Sequence, residues 1–392
     1  MGFLIGSAYG FGVIMARSFG AGDFKEFRKY FFNSIILSII IGIVFTIVLS
    51  LVNSYLLELI STPAELFDGA HKFLFILYIG CASSLIYNLF AATLRSIGNS
   101  FTPVLFLLLS VVINAILAYV FVAIFGWGVE GSAVATIIAQ STSALCCYVY
   151  INRKYPQIRL TKQDAVLDIS HMKNLILQGA PMGMQFSFTG IGLIVVQKFL
   201  NGFGTNYIAG YSVGVRIQNI VSYVYVALGT AISTFISQNI GAKRMYRIPK
   251  AVKYTTLITI GCAIFSTIVI RFFGPNFISL FTTAPNEELT HATVTYFNNV
   301  TLAYIPLGLI ILYRSALQGY GFPITAMMAG IIELINRVVI VIFLTDTFGF
   351  LAICLADSVN WVITAAFLLT VYFIATRSHK NKNKAFYIEP SM

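Results

Sequence analysis

Residues 35–57 read Ile-Ile-Leu-Ser-Ile-Ile-Ile-Gly-Ile-Val-Phe-Thr-Ile-Val-Leu-Ser-Leu-Val-Asn-Ser-Tyr-Leu-Leu, with no charged side chain among them. At 1.5 Å of rise per residue such a helix runs roughly 34 Å, enough to cross a hydrocarbon layer of about 30 Å. Lysines and arginines (Lys25, Arg28, Lys29) precede the stretch, and acids (Glu58, Glu65, Asp68) follow it. A long apolar run with basic residues at one end only marks a membrane span and its direction.

Working outward, the same reading recurs along the chain. In the first half the predicted spans are Leu4–Ala16, Ile35–Leu57, Phe73–Ala92, Val104–Phe125 and Ser132–Ile151. In the second half they are Leu175–Leu200, Ile208–Ile236, Thr255–Phe273, Ala292–Leu317, Ile324–Leu344 and Leu351–Ala375. Lipid offers no partner for an open backbone, and these runs are too long for barrel strands, so helices are expected. With 58% hydrophobic and 10% charged residues and a mean hydropathy of +0.85, no soluble core could absorb the apolar surface.

Basic residues fall in alternate gaps: Arg17 to Lys29, Arg95, Arg153 to Lys173, Lys243 to Lys253, and Arg377 to Lys384. The opposite gaps hold Lys72, Lys198 and Arg271 beside Glu58, Glu65, Asp68, Glu287, Glu288 and Asp346. The positive-inside rule therefore predicts a multi-pass plasma-membrane protein with a cytoplasmic C-terminus. Net charge +11 and pI near 9.4 are then a topology signal, and a nucleic-acid partner is excluded. The five cysteines sit in apolar segments without metal or redox spacing and read as small buried hydrophobes.

The chain also repeats itself. Gly20-Ala21 answers Gly241-Ala242, 221 residues on (20 to 241). Thr62-Pro63 answers Thr283-Ala284-Pro285, and Leu94 to Gly98 answers Leu317 to Gly321. Asn114 answers Asn336, and Gly128 answers Gly349. Both Gly-Ala copies follow spans that end on the basic side, so the halves are parallel repeats. The expected organisation is an N-terminal lobe over residues 1–151, a cytoplasmic linker over 152–174, a C-terminal lobe over 175–376 and a tail over 377–392. The counterpart of the helix around Pro181 would fall upstream of Met1. A first lobe of five spans lacking its first helix is therefore expected, from a truncated reading frame or a natural eleven-helix variant.

Several of these motifs are similar to those of the multidrug and toxic compound extrusion (MATE) family. They are Ala16-Arg17-Ser18-Phe19-Gly20-Ala21-Gly22-Asp23, Gln238-Asn239-Ile240-Gly241-Ala242-Lys243, Leu94-Arg95-Ser96-Ile97-Gly98-Asn99, Gly128-Val129-Glu130-Gly131-Ser132-Ala133 and Ala316-Leu317-Gln318-Gly319-Tyr320-Gly321. The resemblance implies an all-α integral membrane protein of two six-helix lobes in a V, the first reduced to five helices here. It further implies alternating-access export of organic cations against a proton or sodium gradient, with no other cofactor. Two departures bear on coupling: the first helix, which often carries an acid in relatives, is expected to be missing. In addition, Asn114 is followed four residues on by Ala118 where relatives often have Asp.

Ionisable groups inside spans are costly, roughly 2.5–3.5 kcal/mol each at mid-membrane, and so point to function. The first lobe holds only polar Asn88, Asn114 and Gln140 there, whereas the second holds Arg216, Arg314, Glu333, Arg337 and Asp357. Helix rise places Glu333 ~14 Å, Arg216 ~12 Å and Asp357 ~9 Å into their spans. Glu333, Asp357, Arg337 and Arg216 are the candidate residues for ion coupling and substrate. Glu333 and Arg337, one turn apart, form either a structural ion pair or a carboxylate that exchanges Arg337 for a cation. Asp357 is either an unpaired proton-exchanging acid or the partner of Arg216 or Arg337. Arg314, three residues from its span end, reads as a snorkelling side chain. Asn114, Gln185, Thr189 and Asn336 are candidate cavity-lining polar groups, or hydrogen-bond glue between helices. Gly2, Gly6 and Gly10 form a close-packing face.

A rival reading is a flippase for a lipid-linked oligosaccharide or related lipid precursor, which would need several arginines for pyrophosphate. Histidines at 71, 171, 291 and 379 lack metal spacing, and no GxxxxGK loop occurs, so an enzyme and direct ATP use are not expected. A monomer in the lipid bilayer that exports small organic cations is the leading expectation.

Overall fold

The computed structural model describes residues 2–387 apart from 60, 61, 63, 280 and 282–285. Thirteen helices over these residues carry the chain. They are α1 (Gly2–Gly20), α2 (Phe24–Leu59), α3 (Ala64–Ile79), α4 (Cys81–Ser96), α5 (Phe101–Tyr119), α6 (Gly128–Lys154) and α7 (Ile169–Leu200). Then come α8 (Thr205–Gly241), α9 (Ile248–Ile278), α10 (Glu287–Val300), α11 (Tyr304–Tyr320), α12 (Pro323–Phe348) and α13 (Phe350–Lys382).

Each predicted span lies on these helices, except that Val104–Phe125 runs past α5 through a π-helical turn at Val120–Ile124, and two spans are broken. Phe73–Ala92 is split into α3 and α4, which meet at a 45° bend around Gly80. Ala292–Leu317 is split into α10 and α11 by a single tight turn at Thr301–Ala303. By length and composition, ten helices could cross a membrane, or eleven with the bent α3–α4 pair. Burial is inverted relative to a soluble protein: the apolar window of α5 and its continuation to Ile124 is 6% buried, that of α1 61%. Leu51 (80% exposed) and Val111 (59%) are among the apolar side chains left exposed. The cysteines are free thiols, with Cys81, Cys147 and Cys354 fully buried.

Two compact units meet within α7, at Gly183–Met184. The division falls in a helix and not in the polar stretch 152–174 because the first half of α7 packs on α1. A Cβ added at Gly6 would stand 2.5 Å from the Met182 carbonyl oxygen, and one at Gly10 would stand 2.5 Å from the Gly179 Cα. The close-packing face read from the glycine spacing is thus occupied by the α7 backbone. The first unit's core joins Phe11 and Met15 of α1 to Phe27 and Phe31 of α2, Leu89 and Leu94 of α4, and Cys147 of α6. The second unit's core gathers around Tyr225, Tyr296, Tyr304 and Leu317.

The repeat is written in the backbone. After α1, the N–H groups of Ala21, Gly22 and Asp23 donate to the carbonyls of Arg17, Phe19 and Ser18. After α8, those of Ala242, Lys243 and Arg244 donate to Gln238, Ile240 and Asn239 in the same pattern. The middle residue is left-handed in both, Gly22 at φ 71° and Lys243 at φ 57°. Gly98 and Gly321, closing α4 and α11, both have φ 91° and share a pair of capping bonds back into the last turn. Gly128 and Gly349 match at φ 60° and 56°. The two helix breaks correspond as well, Gly80 and Thr301 being 221 residues apart. The paired Thr62-Pro63 and Thr283-Ala284-Pro285 lie largely outside the described residues, as do positions 388–392 of the tail.

Candidate functional site

Four charged side chains on α11, α12 and α13 form one buried chain in the second unit. The Arg337 Nε donates to Asp357 Oδ1 at 3.0 Å, and its Nη1 stands 3.8 Å from Glu333 Oε2. The other Glu333 oxygen accepts from the Arg314 guanidinium. Glu333, Arg337 and Asp357 are each 4% exposed. Local sequence dictates this meeting: Glu333 and Arg337 lie one turn apart on α12, while the tight turn at Gly349 returns α13 beside it.

Arg314 is a correction to the snorkelling reading. Helix α11 ends at Tyr320, so Arg314 lies nearly two turns inside and reaches Glu333 of the neighbouring helix. Asp357 is likewise not an unpaired acid, because Arg337 is its partner. Arg216 is not brought in; it stands exposed on α8 and has no ion-pair partner among the described residues.

Polar side chains continue the chain on both flanks. The Thr189 hydroxyl of α7 donates to Glu333 Oε2 at 3.2 Å. Gln185, one turn earlier, accepts from Gln318 Nε2 of α11 at 2.9 Å. Asn336 Nδ2 donates to Asn360 Oδ1 at 3.3 Å, and Thr364 donates to the same oxygen at 3.2 Å. Gln318, Asn360 and Thr364 were not singled out as candidates from sequence, although helical spacing places them one turn from Arg314, Asp357 and Asn360 respectively. Asn114 sits apart, in the first unit, where its amide donates to Thr136 Oγ1 at 3.0 Å and ties α5 to α6.

Chemically, the site holds two carboxylates and two guanidinium groups, neutral in sum. Glu333 is anchored by Arg314 and Thr189 besides Arg337, whereas Asp357 has Arg337 as its ion partner. Arg337 alone bridges the two acids, and Gly192 leaves room beside it: a Cβ there would come 3.3 Å from Arg337 Cδ. If the Arg337 side chain withdraws, two acids face one arginine, and one positive charge is needed to restore neutrality. Through the repeat, the positions of Glu333, Arg337 and Asp357 correspond to Val111, Ala115 and Thr136. The charged chain therefore belongs to the second unit.

The MatE family model matches residues 1–120 and 181–343. Among curated proteins, the probable multidrug resistance protein YpnP of Bacillus subtilis (strain 168) is 25% identical over 292 residues, 73% of this chain. The chain spans 64% of YpnP's own length. The FAD transporter of Shewanella oneidensis is 23% identical over 342 residues, 84% of this chain and 74% of that protein. A solved structure, the outward-facing conformation of a multidrug resistance MATE family transporter of the MOP superfamily, superposes with a TM-score of 0.87 at 19% identity. The superposition covers 99% of this chain and 86% of the other.

Proposed function

We propose a transport role for this chain from one premise: it belongs to the MatE family. It works as a secondary active exporter of small organic cations, driven by a proton or sodium gradient through alternating access. It acts as a monomer in the plasma membrane, with its basic loops and C-terminus in the cytoplasm. Relatives named for multidrug resistance support export. Another relative is named an FAD transporter, so the family name alone does not set the cargo.

The observation that carries the reading is the Arg314–Glu333–Arg337–Asp357 chain. Arg337 is held between two acids, and the groups it leaves on withdrawal are carboxylates. A proton, a sodium ion or an organic cation can each take its place, and that mutual exclusion is the basis of antiport. The lipid-precursor flippase reading loses ground on the same geometry. Two of the three arginines it needs, Arg314 and Arg337, are neutralised by Glu333 and Asp357.

The test is drug susceptibility in an efflux-deficient host. Glu333→Gln and Asp357→Asn are each expected to abolish resistance with the protein still present in the membrane. Wild-type resistance from both variants would reject the site, and loss of lipid-precursor translocation with no drug phenotype would favour the flippase.

A further inference from the structure

A groove of about 680 Å³ opens between α9, α11 and α13 at the basic end of the second unit, apart from the charged chain. Its floor is phenolic: Tyr313, Tyr320 and Tyr372 are 7%, 5% and 7% exposed. Its rim carries Lys253 from the start of α9 and Arg377 and Lys380 from the end of α13, all exposed. Among the described residues no acid lines the groove, and none of these cations has an ion-pair partner. The short turn after α13 folds back to supply Tyr387 as a side wall. His379 and Tyr387 lie 3.2 Å apart, and Lys243 stands 5.7 Å over the Phe386 ring.

The groove is not closed toward the hydrocarbon. Leu257 (55% exposed) and Phe373 (63%) form its lip, and α9 continues the apolar track through Ile264, Phe265 and Ile268. Three exposed cations attract a phosphate, and the lip lies where an acyl chain would leave. A cationic drug would be repelled at this rim.

We infer that this groove binds one anionic phospholipid, with its phosphate on Lys253, Arg377 and Lys380 and a chain over Leu257 and Phe373. Basic pockets between membrane helices at the cytoplasmic side are suited to such headgroups. Bound there, the lipid clamps the start of α9 to the end of α13. Its placement in the cytoplasmic leaflet rests on the orientation proposed above; the binding itself does not.

The experiment is a lipid titration of the full chain, purified and delipidated in neutral detergent and read by native mass spectrometry. Phosphatidylglycerol is compared with phosphatidylcholine. One phosphatidylglycerol is expected to be retained in preference to phosphatidylcholine, and millimolar inorganic phosphate should not displace it. Combined Lys253→Gln, Arg377→Gln and Lys380→Gln should weaken retention by at least about tenfold. Leu257→Trp, which keeps every charge and fills the mouth, should weaken it too. Combined Arg153→Gln, Lys154→Gln and Lys162→Gln, on the basic side of the first unit, should leave retention unchanged. Equal retention of the two lipids, equal loss in the two charge-depleted variants or no effect of Leu257→Trp would each overturn the site. Displacement by phosphate would assign it to a free anion.

Discussion

Removing one member of the Arg337–Asp357 pair and removing both should have opposite consequences. In Asp357→Leu, the Arg337 guanidinium stays buried, with Glu333 3.8 Å away and already engaged by Arg314 and Thr189. In Arg337→Met, the Asp357 carboxylate is left at 4% exposure without its ion partner. Breaking a buried ion pair from one side costs about 3–5 kcal/mol, because the surviving charge is uncompensated. Replacing both partners by apolar residues of similar volume is neutral, or stabilising by about 1–4 kcal/mol. The double variant keeps a complete Arg314–Glu333 pair, so it should be at least as stable as either single variant. A double-mutant cycle should then give a coupling of at least about 3 kcal/mol. Unfolding can be followed by a thiol-reactive dye, since Cys147 and Cys354 are 0% exposed until the helices separate. Transport is measured on the same four proteins. A stable double variant without transport means the pair is kept for exchange and not for the fold. Additive destabilisation would refute the pairing energetics, and wild-type transport by the double variant would refute the functional assignment.

Two further outcomes follow from other parts of the structure. Gly10→Val should destabilise the first unit by about 1–3 kcal/mol or more, because its Cβ meets the α7 backbone and not a movable side chain; unchanged thermal unfolding would show that α1 and α7 do not pack this closely. Burial alone would raise the Asp164 carboxyl, but hydrogen bonds from Thr161 and Arg28 outweigh it and hold the group below the ordinary carboxylate value. A lowered folded-state value means the contribution is present above the unfolded value, about pH 4, and is lost as pH falls through the folded one. Limited trypsin cleavage at Arg159 and Lys162 should therefore be faster in Asp164→Asn at neutral pH, and equal cleavage of the two proteins would show that this anchor does not order the loop.

Much of the fold was legible because membrane spans and left-handed turns are local signals. Residues 35–57 announce a span without reference to any other part of the chain. The Gly98 and Gly128 turns, and their counterparts at Gly321 and Gly349, need backbone angles that most residues avoid, so their spacing shows through in sequence. The breaks at Gly80 and Thr301–Ala303 were hidden, since both sit in apolar stretches that a hydropathy reading joins. At the site, Glu333 and Arg337 were readable because one turn separates them. Arg314 was misread, and the choice between Arg216 and Arg337 as partner of Asp357 stayed open, for the same physical reason: helix rise gives depth, but which way a side chain points depends on helix rotation. Packing turned Arg314 toward α12 and left Arg216 outward, and nothing in a single helix encodes that choice.

The matched turns have an implication for ancestry. A half-length precursor bearing the charged triplet would have passed it to both descendants, yet Val111, Ala115 and Thr136 stand where Glu333, Arg337 and Asp357 stand in the other. The scaffold was therefore copied first or kept more faithfully than the chemistry, and after duplication the copies diverged in this triplet while keeping the same joints. Grafting the triplet onto positions 111, 115 and 136 would ask whether the older frame can still accept it.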